Sequence, residues 1–212
     1  MRKALLGLAF AALMPLAGAR ADTAGDFDYY VLSLSWSPGW CATEGRGQDA
    51  AQCAPGRNLG WILHGLWPQY ERGYPKNCAV PSRAPSAAQT RAMSDIMGSS
   101  GLAAHEWKTH GTCSGLSAGA YFDLSRKAFE KITPPPLLKA MSRDARLSPS
   151  VLESAFMADN PGLTPGGITI TCSGGRIREA RICLTRDLQF RDCAPDVARD
   201  CSRHTAIFDA IR

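Results

Sequence analysis

The chain has 212 residues, a formal net charge of +5, eight cysteines and 45% hydrophobic residues. That length allows one domain with a sizeable core, and beyond an N-terminal run no stretch is long or apolar enough to span a bilayer. So small a charge excludes a global field that gathers nucleic acid, so an anionic ligand requires a local cluster of cations.

Arg2 and Lys3 precede an apolar run over residues 4–17, and Ala19-Arg20-Ala21 follows. This is a charged n-region, an apolar stretch too short to cross a membrane, and a small-x-small cleavage site, so residues 1–21 read as a secretory signal peptide. Its removal takes three cations and no carboxylate, leaving +2 on a single mature domain, 22–212. Export explains Cys41, Cys53, Cys78, Cys113, Cys172, Cys183, Cys193 and Cys201, which are even in number and contain no C-x-x-C pair. A zinc ribbon or thioredoxin motif is disfavoured, and four disulfides in an oxidising compartment are expected. Spacing alone does not choose their pairing.

Residues 27–36 read as the first strand. Tyr30, Leu32, Leu34 and Trp36 alternate with Val31, Ser33 and Ser35, as in a sheet with one drier face. Ser37-Pro38-Gly39 ends it, and a polar loop closed by Cys41 and Cys53 follows. Residues 61–67 form a short apolar strand carrying one polar ring, His64, and Pro68 stops it. A loop with Tyr70, Gly73, Tyr74 and Pro75 leads to Cys78. Helices are expected at 86–97 (Ser86 as cap, Gly98 as terminator), around His105, and at 117–132, where Pro134-Pro135-Pro136 breaks the pattern. Ser148-Pro149 opens another helix, which stops before Asn160-Pro161-Gly162. Strands return at 168–172, 176–184 and 188–193, with turns at Gly174-Gly175 and Arg186-Asp187. The order predicts an α+β single domain: a central antiparallel β-sheet flanked by several α-helices and held by disulfides.

The stretch His105-Glu106-Trp107-Lys108-Thr109-His110-Gly111-Thr112-Cys113 holds two of the four histidines, a carboxylate and an ammonium. Such a gathering of groups that titrate or carry charge at working pH points to chemistry. His64, a polar ring inside an apolar strand, is expected to meet it and complete one active site. On a helix Glu106 and His110 share a face, whereas His105 and His110 point about 140° apart. A zinc protease needs H-E-x-x-H, and the extra residue here spoils that convergence. No metal is therefore expected; a zinc hydrolase is the lesser reading, and loss of activity in EDTA would be its sign.

Two imidazoles and a cation suit transesterification at an RNA phosphodiester. The 2′-hydroxyl is an internal nucleophile, so the protein must add a base, an acid and positive charge for the phosphorane oxygens. DNA lacks the hydroxyl and is expected to be inert.

His64-Gly65-Leu66-Trp67-Pro68 and His105-Glu106-Trp107 with His110-Gly111-Thr112-Cys113 resemble the two active-site segments of the ribonuclease T2 family. The resemblance extends to Leu34-Ser35-Trp36 with Cys41 and to Leu188-Gln189-Phe190 with Asp192-Cys193, covers most of the mature chain, and points to the bacterial periplasmic members. It implies a periplasmic or secreted, monomeric endoribonuclease that needs no cofactor and leaves the membrane after signal cleavage. Such an enzyme cleaves single-stranded RNA through a 2′,3′-cyclic phosphate with broad base specificity. His110 would be the base, His64 the acid, His105 a phosphate ligand and Glu106 an orienting group. The family lysine just before the second histidine is Thr109 here, and Lys108, one residue earlier, is taken as the candidate catalytic cation, although a helix points it about 100° away. Trp67 and Tyr74 would stack on bases, and Gln69 stands where the family has asparagine or aspartate. The resemblance also implies the pairs Cys78–Cys113, Cys41–Cys53, Cys172–Cys201 and Cys183–Cys193. The alternative on the same fold is a catalytically weak or inactive member that binds RNA or protein. Trp61 and Trp107 are assigned to the core, His204 to no role, and the arginines at 176, 178, 181, 186 and 191 to a solvated sheet face.

Overall fold

The computed structural model describes residues 22–45, 50–80 and 83–212. The signal peptide expected at 1–21 lies outside them, as do residues 46–49 of the Cys41–Cys53 loop. In chain order the elements are β1 (Tyr29–Trp36), α1 (Ser37–Ala42), β2 (Trp61–Gln69), α2 (Ala87–Ala92), α3 (Ser94–Met97), α4 (Ser100–Thr109) and α5 (Ala118–Lys131). Then come α6 (Pro136–Lys139), β3 (Ala145–Leu147), α7 (Pro149–Asp159), β4 (Ile168–Ser173), β5 (Arg176–Leu184) and β6 (Ala206–Phe208). The strands form one sheet in the order β2-β1-β5-β6-β3, with β4 also paired to β5. The architecture is α+β in a single domain. The sheet is mixed, since β5 meets β6 in parallel while the other pairs run antiparallel.

All eight residues of β1 are buried, so it has no wet face. Leu32, Leu34 and Trp36 enter the core, where Trp36 stacks on Phe208 at 4.2 Å and packs against Trp61. Ser33 and Ser35 point to the other face and are covered there as well. Pro68 does not stop β2. The strand is an edge strand, where a missing N–H breaks no inner ladder, and Pro68 pairs with Tyr30.

Ser37-Pro38-Gly39 opens α1, with its proline in the first turn, where no N–H is needed. The helix expected at 86–97 divides at Met93 into α2 and α3. Ser86 and Gln89 form a reciprocal capping box before α2, and Gly98 closes α3 at φ +80°. The strand expected at 188–193 is reduced to a single bridge between Leu184 and Phe190. Leu188 turns at φ +63°, and the Cys193 N–H leaves the sheet to bond Gly166 O at 2.7 Å. β3 and β6, three residues each, are too short to show an alternating pattern. The four disulfides are Cys41–Cys53, Cys78–Cys113, Cys172–Cys201 and Cys183–Cys193.

Candidate active site

Two β-bulges build the floor of the site. β1 pairs Ser33 with Gly65 and Leu34 with Leu63, so His64 is the extra residue of a bulge in β2. A bulge re-aims a side chain, which is how a polar ring fits inside an apolar strand. A second shift, between Thr171–Glu179 and Cys172–Ile177, leaves Arg178 unpaired on β5. On the β1–β5 side, Ser33 lies opposite Arg181 and Ser35 opposite Glu179. The two short serines leave space above β1, and His64 uses it to reach Glu179, Nδ1 to Oε1 2.7 Å. Glu179 is 2% exposed, and its Oε2 accepts from Arg181 Nε at 3.0 Å and Nη2 at 2.8 Å.

The opposite wall comes from α4. Ser99 caps it by accepting from Leu102 N–H at 3.1 Å. His110 is the C-cap, its N–H bonded to Glu106 O, and the chain then tightens into a 3₁₀ turn at Gly111–Ser114. The helical phase expected across Glu106 and His110 therefore ends at Thr109. A Cβ on Gly111 would come within 2.6 Å of the Trp107 ring, so this turn must be glycine to pack there. Cys78–Cys113 and the Asn77 N–H to Thr109 O bond (2.8 Å) tie the preceding loop to the same corner. Glu106 is buried; its Oε2 accepts from Trp67 Nε1 at 2.7 Å, and its Oε1 lies 3.6 Å from His64 Nε2. Gly65 makes room for that bond, because a Cβ there would stand 2.2 Å from Glu106 Oε2.

The Trp67 indole packs against both histidines. His64 meets it edge-on and His110 lies nearly parallel to it, each 5.2 Å away between ring centres. A cavity of about 450 Å³ lies on the side of His64 and His105, bounded also by Ser35, Trp40, Leu102 and Arg178. Another of about 410 Å³ is bounded by Trp67, Gln69, Tyr74, His110, Arg181 and Asp196.

The two histidines are tuned in opposite directions. Burial opposes charge on His64, but the Glu179 bond and the charges of Glu179 and Glu106 outweigh it and raise its pKa above 6.5. Burial, with the positive charges of His64 and His105, lowers His110 to about 4. Burial pushes Glu179 up, yet His64 and Arg181 overcome it and hold the carboxylate at about 2. Glu106 is raised by burial against the pull of His64 and the Trp67 bond. The opposite shifts favour the protonated form of His64 and the neutral form of His110, the pairing that acid–base catalysis uses.

The ribonuclease T2 family model matches residues 27–193. The chain belongs to the ribonuclease T2 family. A ribonuclease of Aeromonas hydrophila is 37% identical over 187 residues, covering 86% of this chain and 83% of that one. Ribonuclease I of Escherichia coli is 26% identical over 191 residues, covering 68% of this chain and 63% of that one. Among solved structures, RNase NT in complex with 5′-AMP is similar at a TM-score of 0.63 and 22% identity, covering 88% of this chain and 98% of that one. The protein is thus an RNA-cleaving enzyme.

In this ribonuclease His64, His105, Glu106, His110, Trp67, Gln69 and Tyr74 are brought to one region around the two cavities. Lys108 is not among them: it is exposed on α4 and contributes to neither cavity wall. Arg178 and Arg181, read from the sequence as part of a solvated sheet face, line one cavity each. Sequence reasoning missed Glu179, Arg181 and Asp196. The one available signal was the lone carboxylate in Arg176-Ile177-Arg178-Glu179-Ala180-Arg181.

Proposed function

We propose that this ribonuclease is an exported endoribonuclease that cleaves single-stranded RNA by metal-independent transesterification through a 2′,3′-cyclic phosphate. The observation that carries the reading is the pair His64 and His110, both packed against Trp67 and with opposite pKa shifts. Neutral His110 takes the proton of the 2′-hydroxyl, and the freed oxygen attacks phosphorus. As the P–O2′ bond forms, the P–O5′ bond breaks and protonated His64 gives its proton to the departing 5′-oxygen. Because Glu179, held as a carboxylate, accepts from Nδ1, the proton delivered is the one on Nε2. His105, on the wall of the larger cavity, is placed to hold phosphate. The two cavities suit the bases either side of the cleaved bond, with Trp67 and Tyr74 as stacking surfaces that accept any base. The 5′-AMP held by RNase NT supports a nucleotide here.

Residues 1–21 complete the reading as a signal peptide, and the four disulfides support an oxidising, periplasmic or secreted location. The test is digestion of a defined single-stranded RNA in EDTA, with new ends identified by mass spectrometry. Cyclic phosphate ends are expected, with loss of about 10²–10⁴-fold in H110A and H64A. Ends bearing a 5′-phosphate, or an H110A protein as active as wild type, would overturn the mechanism.

A further inference from the structure

Attack on a phosphodiester concentrates negative charge on the non-bridging oxygens, so the site needs a fixed cation directed at them. Lys108 is exposed and off both cavities, and its neighbour Thr109 carries no charge. Arg178 lines the larger cavity but is engaged by Glu44. Arg181 differs from both. It lines the smaller cavity beside His110 and sets its guanidinium 5.4 Å from the Trp67 ring centre. That is the same indole that both histidines contact. Its Nε and Nη2 are spent on Glu179 Oε2, while Nη1 makes no hydrogen bond with the described residues, and the side chain is 33% exposed. Guanidinium is planar, permanently charged and suited to phosphate oxygens. A guanidinium clamped along one edge presents its other edge without further loss of freedom.

We propose that Arg181 is a catalytic residue: its unengaged Nη1 edge binds the scissile phosphate and stabilises the phosphorane, a charge that neither Thr109 nor Lys108 supplies. It forms no covalent bond and moves no proton. The proposal rests on the transesterification reading above.

The experiment is single-turnover cleavage of a short single-stranded RNA by R181Q and R181K across pH, with inorganic phosphate as inhibitor. R181Q is expected to lose about 10²–10³-fold in kcat, to resist phosphate inhibition, and to keep both limbs of its pH profile. R181K, which keeps a charge, should retain more activity. Wild-type kcat in R181Q overturns the proposal. So does a loss accounted for by a shift of the alkaline limb in either direction, because Arg181, whose charge lowers the His64 pKa, would then act only through Glu179 and His64. Should R181Q fail to fold, titration of wild-type enzyme with inorganic phosphate decides: the Arg181 Nε–H NMR signal must move, and a fixed signal overturns the proposal. Failure of the parent reading appears separately, as absent cyclic ends or an indifferent H110A protein.

Discussion

A 2.7 Å hydrogen bond joins His64 on edge strand β2 to Glu179 on β5, passing over the full width of β1. It is possible because β1 presents the short side chains of Ser33 and Ser35 where the bond crosses, opposite Arg181 and Glu179. The bond fixes the tautomer of His64 and raises its affinity for a proton, which suits an acid that must arrive charged.

Replacing Glu179 with glutamine removes the charge and leaves the shape. The pKa of His64 should fall, so its protonated form disappears at lower pH and the alkaline limb of kcat/KM moves acidward. Activity at neutral pH should drop about 10–100-fold, as when other orienting partners of histidine are removed. A pH–rate profile of E179Q with an unmoved alkaline limb would refute this coupling.

The same shifts make stability depend on pH. His110, lowered to about 4, costs stability as pH falls from about 6.5 toward 4, because the unfolded chain binds that proton more readily. His64, raised, contributes stability that is complete below its ordinary value near 6.5 and lost as pH rises through its folded pKa. Glu179 contributes above the ordinary carboxylate range and loses that contribution as pH falls toward about 2. Urea unfolding at pH 7 and pH 4.5 should therefore show a smaller acid loss in H110A than in wild type. An equal loss would contradict the burial argument.

His64 was legible because a titratable ring in Trp61-Ile62-Leu63-His64-Gly65 breaks an apolar run, and His105 to His110 because so much charge is crowded there. Glu179 was not legible. In a strand alternating arginine with apolar residues it reads as one more solvated charge. Only the bulge at Arg178 and the register against Ser35 bring it under the site. Lys108 misled for the opposite reason: it is adjacent in sequence, but the helix turns it outward. Ser33 and Ser35 read as a wetter face until the site itself proved to be their cover.

Gly65 is a local test of the floor. G65A places a methyl carbon 2.2 Å from Glu106 Oε2 and 2.3 Å from Trp67 Nε1, which must part. Overpacking of this kind costs about 1–3 kcal/mol, and activity should fall further than stability because Trp67 packs against both histidines. Unfolding and single-turnover assays on one preparation check this; a G65A enzyme with wild-type kcat would show that the Glu106–Trp67 bond is dispensable.

The disulfides should not contribute equally. Cys78–Cys113 closes 35 residues and Cys183–Cys193 closes 10. Chain entropy puts these at about 4 and about 3 kcal/mol. The first also fixes the turn that follows His110, so C78S/C113S should lose both stability and kcat. C183S/C193S should lose stability alone. Denaturant titration with cleavage assays separates the cases, and equal kcat in the two double variants would detach the disulfide from the site.

Asp196 governs the far end of the smaller cavity. Its Oδ2 accepts from Gly73 N–H at 2.6 Å, and Gly73, at φ +78°, is the turn that delivers Tyr74. Tyr74 is 51% exposed with its ring 6.1 Å from His110, so little else holds it against the cavity. Losing a hydrogen bond to a charged acceptor costs about 1.5–3 kcal/mol, and here the cost falls on the order of the loop. D196A should therefore raise KM about 10-fold with kcat nearly unchanged. D196N retains an oxygen for the Gly73 N–H and should stay near wild type. Steady-state kinetics on single-stranded RNA measures both; a D196A enzyme that loses kcat at constant KM would show that Asp196 acts on the reacting groups instead of on the loop that carries Tyr74.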